Sequence, residues 1–397
     1  MEKRKLLTLL CSMFLVLVLG ALLFVGACRA PAPKVEPVRI GVILPMTGSL
    51  ADAGPKAKQG IELRFAEAGW EVAGRPIQLI YEDDGSEDTG GLEKAKKLVE
   101  SDKVHMLIGG ILLEFCIPYT AEVKVPQIGL RPIIPRTGMV LTYDFMPDGT
   151  FKMFDYPMAW YAYDKLGYKT ATCIAHDMND GRETITNFTD AFQAKGGTVV
   201  QEQFSPMMTA DYGPYLVALK QAAVTMAWMY PPEIAAFLKQ YNEFGLFKKQ
   251  PVIIPLCEVL MQEMMPDLGD YILGIKGSCD YHWPIDTSVN KKFVAGIKEK
   301  YGETTMVDSY TLGGYEAASI ALVALKATGG DTTSEKLRQA ILGVNIETPS
   351  TKSLTFRPDG WGSKDMHIFD LQKIDGQYAW EPIYTYPAVD PIKPVAP

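Results

Sequence analysis

The sequence is poor in the residues that carry most enzymatic chemistry. Among 397 residues there are only four histidines and six cysteines. His105, His176, His282 and His367 are scattered, and each reads as a surface or hydrogen-bonded structural residue. There is no HExxH pair, no GxxxxGK[ST] phosphate loop, no GxGxxG after a strand and no GxSxG elbow, so the common peptidase, nucleotide and serine-hydrolase sites find no support. With no CxxC and no cysteine–histidine grouping along the chain, a zinc site is not expected, and no cofactor is implied. Positive charge is also short: 39 Lys and Arg face 47 Asp and Glu, a net charge of -8. Removing the first 27 residues takes away three basic side chains (Lys3, Arg4, Lys5) and one acidic one (Glu2), which leaves -10. This balance argues against nucleic acid as a partner, and against an electrostatic funnel for a highly anionic solute. A single local arginine can still bind one carboxylate.

Long apolar runs are missing everywhere but at the start. Leu6 to Val25 is apolar except for Thr8, Cys11, Ser12 and Gly20, and follows the basic head Lys3-Arg4-Lys5. Val25-Gly26-Ala27-Cys28 closes it with small residues and a cysteine, which reads as a secretory signal over residues 1–27 and looks like a bacterial lipobox. That likeness implies acylation at Cys28, and several acyl chains would anchor the protein stably to a membrane. The run is also long enough to span a bilayer. It lacks a basic stop-transfer cluster, which favours a cleaved leader; in either case the rest faces outside the cytoplasm. Residues 28–37 are proline-rich and suit an extended tether. Cys116, Cys173, Cys257 and Cys279 remain. An oxidising compartment permits disulfides, and Cys257–Cys279 is one pairing open to the chain, buried free thiols being the other.

About 360 residues follow the tether, enough for roughly two domains. Val38–Leu44 is a near-continuous apolar run, as expected of a strand covered on both faces. The pattern then alternates: a helix at 57–68, strand 75–81, helix 92–101, strand 104–110, a short helix at 118–123 and strand 126–130. It restarts with helix 158–166, strand 169–175, helix 183–195, strand 198–203, helix 212–221, strand 225–230, helix 233–244 and strand 252–256. Helices at 291–301, 314–328 and 334–342 follow, then closing strands at 354–356 and 366–371. Alternating β and α units predict parallel, doubly wound sheets: an α/β protein of two Rossmann-like lobes in series.

Several short motifs resemble, in their order and spacing, the periplasmic branched-chain amino-acid-binding proteins, the type I solute-binding family that serves ABC transporters. They are Ile40-Gly-Val-Ile-Leu-Pro-Met-Thr-Gly48, Ile80-Tyr-Glu-Asp-Asp84, Val104-His-Met-Leu-Ile-Gly-Gly110, Leu166-Gly-Tyr-Lys-Thr-Ala171, Ala194-Lys-Gly-Gly-Thr-Val-Val200 and Phe356-Arg-Pro-Asp-Gly360. The resemblance covers nearly all of 38–386. It implies a three-stranded hinge, with crossovers placed near 152–157, 281–288 and 346–353. The first lobe would comprise 38–154 and 287–347, the second 155–286 and 348–386, and a tail 387–397. It further implies a small-molecule ligand between the lobes, a membrane permease as partner, and a monomer that shows both lobe faces to that permease.

The family holds its ligand's carboxylate with small hydroxyl residues and backbone amides. In this sequence the matching loop after the third strand reads Gly110-Ile-Leu-Leu-Glu-Phe115, with Leu113 where a serine is expected, and Arg131 and Ile133 stand where a small residue and a threonine are expected. Tyr230 and Glu258 match the family's tyrosine and acidic residue in the second lobe. The resemblance therefore points to Leu113, Glu114, Phe115, Arg131, Ile133, Asp180, Tyr230, Glu258 and Trp283 as the solute contacts. Either Arg131 grips a carboxylate bidentately, or it pairs with Glu114 and only shapes the wall. Glu258 could accept an ammonium group. The solute would be an amino acid or a small apolar or aromatic carboxylate. A rival reading is an extracellular ligand-sensing domain that works with a separate signalling protein. A lipid-anchored hydrolase is a third, and would need a nucleophile–base pair or metal set that the sequence does not display.

Overall fold

Near-continuous apolar runs become the central strands. β1 (Val38–Leu44) is buried at all but Arg39, and pairs in parallel with β3 (Arg75–Asp83) and β4 (Met106–Gly109). The computed structural model describes residues 35–110, 115–135 and 139–396. The leader, Cys28 and most of the tether lie outside the described residues, and no described helix is long and apolar enough to cross a membrane. The first sheet has the order β2-β3-β1-β4-β5-β6, with β2 (Glu71–Val72), β5 (Gln127–Ile128) and β6 (Asp144–Phe145). Helices α1 (Ala53–Glu67), α2 (Asp88–Lys96) and α3 (Ile117–Val123) connect these strands.

The chain then enters the second sheet through α4 (Lys152–Asp164). β7 (Thr170–His176), α5 (Asn179–Ala194), β8 (Thr198–Ser205), α6 (Gly213–Val217), β9 (Val224–Trp228), α7 (Glu233–Glu243) and β10 (Val252–Pro255) follow. After the one-turn helix α8 (Met265–Leu268) comes β11 (Lys276–Cys279). Helices α9 (Ser288–Tyr301), α10 (Ser309–Ala327) and α11 (Ser334–Leu342) precede β12 (Asn345–Ile346), β13 (Leu354–Phe356), β14 (Gly362–Ile374) and β15 (Gln377–Val389). The second sheet runs β12-β13-β14-β11-β10-β9-β7-β8, with β15 paired to β14.

The two α/β sheets are mixed, not wholly parallel. β8, β7, β9, β10 and β11 are parallel, but β14 runs antiparallel to β11, and β15 to β14. α10 returns to cover the first sheet, where Ile320 and Leu325 join Val38, Ile40, Val42 and Phe65 in one core. It lies very close to α1: a Cβ on Gly60 would stand 1.9 Å from the Thr311 carbonyl oxygen, and one on Gly314 2.0 Å from that of Ala57. Only glycine fits such a backbone approach.

The passages between sheets differ in detail from the sequence reading. Residues 152–157 are the first turns of α4, and the non-helical passage is 146–151, held by the bridges Ile133–Thr150 and Met146–Trp361. Pro157 lies inside α4, which holds it at the loss of one hydrogen bond. The second passage, after β11, is irregular as expected. At the third, Leu354 and Phe356 pack on the first sheet's core, so the chain crosses along the start of β14. The expected tail is partly tied down: Arg357 donates to Asp390 at 2.6 Å and Thr150 to the Pro391 carbonyl at 2.5 Å.

Candidate functional site

Strand carboxyl ends of both sheets supply the polar side chains. Arg131 follows β5 and is 6% exposed. Its Nη2 donates to the carboxylate of Glu258, which follows β10, so the two sheets meet through this pair. Nη1 lies 3.6 Å from Asp148 Oδ2, beyond hydrogen-bond reach, and has no hydrogen-bond partner among the described residues. The guanidinium sits 5.0 Å from the ring centre of Tyr310, within cation–π range. Glu258 also accepts from the Ser309 hydroxyl. Ser309 and Tyr310 open α10, whose start is fixed by Asp308 accepting from the backbone N–H of Tyr310 and Thr311, both at 3.1 Å.

The second lobe adds an aromatic wall. Tyr230, just past β9, donates its hydroxyl to Asp180 in the first turn of α5, and its ring lies 4.9 Å from that of Trp228. Burial, reinforced by Asp180, pushes the Tyr230 phenol far above its ordinary range, so it stays protonated. Burial lowers the pKa of His176, 3.7 Å from Glu233, despite that carboxylate's pull.

Beneath Arg131 lies a buried charge cluster. Lys364, at the start of β14, is fully buried and donates to Asp148 at 2.5 Å, Asp280 at 2.7 Å and Glu316 at 3.1 Å. Asp148 lies on the first passage, Asp280 on the second and Glu316 on α10, so one ammonium ties the crossings together. Thr348 and Ser350 complete Glu316 with donors at 2.5 and 2.8 Å. Burial lifts Asp148 to about 6 against the attraction of Lys364. Burial also opposes charge on Asp280, but Lys364 and Arg131 outweigh it and hold the group down at about 2.

The sequence-predicted residues separate in space. Arg131, Glu258, Tyr230 and Asp180 line the facing strand ends. Leu113 and Glu114 lie outside the described residues, and Phe115 is half-buried just before α3. Ile133 packs with Ile117, Leu141, Met146 and Trp361 beside the first passage. Trp283 lines an open groove of about 620 Å³ along α9, with Ile285, Val294 and Lys298, apart from the Arg131 cluster. Tyr310, Ser309, Asp148 and Lys364 were missed. The Asp308-Ser309 start of α10 carried a readable capping signal, whereas Lys364 carried none. One reading needs correction. No cysteine–histidine grouping is visible along the chain, but parallel β10 and β11 bring Cys257, Cys279 and His282 together, with ligand atoms within 4.8 Å of one another. Both cysteines are free thiols.

A periplasmic binding protein family model matches residues 37–377. The chain belongs to the periplasmic binding protein family. Its members are exported, and the two-lobe fold is that of their type I branch. A Leu/Ile/Val-binding protein homologue of Brucella suis is 25% identical over 372 residues, covering 92% of this chain and 95% of the relative. Among solved structures, an ABC transporter substrate-binding protein from Sphaerobacter thermophilus is 28% identical with a TM-score of 0.84, over 89% of this chain and 98% of that one. A solute-binding protein of an ABC transporter from Rhodopseudomonas palustris, solved with 3,4-dihydroxybenzoic acid, is 25% identical with a TM-score of 0.79, over 90% and 99%. In a binding protein of this family, Arg131 and Glu258 face each other where open α/β sheets take ligands, at the carboxyl ends of their strands.

Proposed function

We propose that the chain is the solute-binding component of an ABC transporter and that it takes a small aromatic carboxylate between its lobes. The observation that carries this is Arg131: a buried guanidinium at the junction of both sheets whose Nη1, 3.6 Å from Asp148, makes no hydrogen bond among the described residues. A carboxylate accepting from Nη1 and Nη2 together would complete it, since planar Arg matches carboxylate geometry. Tyr310 and Tyr230 offer flat apolar faces for a ring, and the Rhodopseudomonas relative was solved with a ligand of this class. Acylation at Cys28 fits a protein that must stay near its permease. The domain limits expected at 154 and 348 move to the passage before α4 and to the start of β14, since Leu354 and Phe356 pack on the first sheet's core, and the hinge falls at the Lys364 cluster, where lobe closure would desolvate the guest.

A second reading, an amino acid, is favoured by Glu258, because a zwitterion could replace both halves of the Arg131–Glu258 pair. Thermal-shift titration with benzoate, 3,4-dihydroxybenzoate and leucine separates the two, since a ligand of the folded state alone raises its stability. Glu258→Gln should leave benzoates bound as well or better, as it removes a competitor for Arg131. The same change should weaken an amino acid by roughly 100-fold, the 2–5 kcal/mol lost when one partner of a buried charge pair is truncated. A shift with leucine alone would overturn the aromatic assignment.

A further inference from the structure

Beside the Arg131–Glu258 pair, the structure assigns a second binding site to the carboxyl ends of β10 and β11. We propose that Cys257, Cys279 and His282 bind one thiophilic cation, zinc or copper(I). Cys257 sits on the turn after β10, and Cys279 ends β11 beside it. Contact is so close that a Cβ on Gly277 would stand 2.2 Å from the Cys257 Cβ. The Cys257 sulfur lies 3.4 Å from His282 Nε2. Zinc bonds of about 2.3 Å to sulfur and 2.0–2.1 Å to nitrogen, at a tetrahedral angle, set those two atoms about 3.5 Å apart. The observed hydrogen-bond spacing matches such an edge, so the two groups could share an ion with little movement.

The surroundings support the same chemistry. Both cysteines are fully buried, and His282 is part-exposed, which leaves a way in. The imidazole is fixed by Phe369 at 4.8 Å and Trp380 at 5.9 Å, so Nε2 already faces the sulfur. Glu258 Oε2 lies 3.9 Å from the Cys279 sulfur but groups with Cys279 and Asp280, not with Cys257 and His282. Zinc would take a water as its fourth ligand, whereas copper(I), being softer, would be content with sulfur and imidazole.

The test titrates the purified, reduced full chain with zinc, and separately with copper(I) under anaerobic conditions, against Cys257→Ser, Cys279→Ser and Glu258→Gln variants. The expected result is one cation per chain, bound more than about 100-fold more weakly by either serine variant; losing even an outer-shell partner costs 10–100-fold. Glu258→Gln should leave both cations bound as before, because its carboxylate is outside the three grouped donors. Cobalt(II) added to the unmutated chain supplies a readout that needs no variant to fold: a thiolate-to-cobalt charge-transfer band is expected. Absence of that band with no tight binding of either cation would overturn the proposal. So would binding that both serine variants retain, or a purified chain lighter by two hydrogens with Cys257 and Cys279 joined as a disulfide.

Discussion

At the scale of single residues, Lys364 shows how much rests on one side chain. Its ammonium is the shared partner of three buried carboxylates from three segments. Removing one member of a buried ionic group strands the others and costs about 3–5 kcal/mol. Lys364→Met, similar in volume but uncharged, should lower the urea unfolding free energy by that amount; a change below about 1 kcal/mol would show that the carboxylates find protons or water without it. The sequence carried no sign of this. Lys364 is separated from Glu316, Asp280 and Asp148 by 48, 84 and 216 positions, and each alone reads as a surface charge. Cys257 and Cys279 were named together only as a possible disulfide; their grouping with His282 escaped notice, because it exists only once β10 pairs with β11. Arg131, Glu258 and Tyr230 were named through the family resemblance, and in the structure each stands just past a strand. Asn187, a glycosylation sequon by letters, is 2% exposed and bonded to Asp155 at 2.9 Å, so it is a core residue.

At the scale of elements, strands were the easiest part to read, because burial on both faces leaves an unbroken apolar run. Helix starts were harder. α10 begins at Ser309, five residues before the apolar stretch that betrayed it, because Asp308 caps a polar first turn. β15 was missed although Asp375-Gly376 sits between two alternating runs; both residues have positive φ, 52° and 81°, as a tight hairpin turn requires. β6 offers a test. Asp144 is fully buried, accepts from Thr120 of α3 at 2.8 Å and from Gln127 of β5 at 3.0 Å, and has no cation beside it among the described residues. Burial raises its pKa to about 8 from 3.8. A raised carboxyl pKa means that the folded state holds a proton the unfolded chain has released between those values. Its stabilisation is thus complete below about pH 4 and is lost as pH rises to about 8, at about 1.4 kcal/mol per pH unit. Asp144→Asn removes that dependence. The variant's urea midpoint should gain on the unmutated chain from pH 5 to pH 8; parallel profiles would mean that Asp144 is ionised throughout.

At the scale of the whole molecule, two α/β sheets, three passages and a family match point to a protein that works by capture and closure. The alternation of strands and helices sufficed to foresee the lobes. It could not foresee the hinge chemistry, which exists only once the passages converge. The solute stays open between two classes because the same Arg131–Glu258 pair can yield to a carboxylate or to a zwitterion. Isothermal titration of the purified chain with 3,4-dihydroxybenzoate, beside its Arg131→Ala variant, tests the central claim most directly. The account predicts one saturable site in the unmutated chain and a loss of more than about 100-fold in affinity, the upper part of the 2–5 kcal/mol range for a truncated buried charge. Equal affinity in both proteins, or no binding to the unmutated chain, would contradict it.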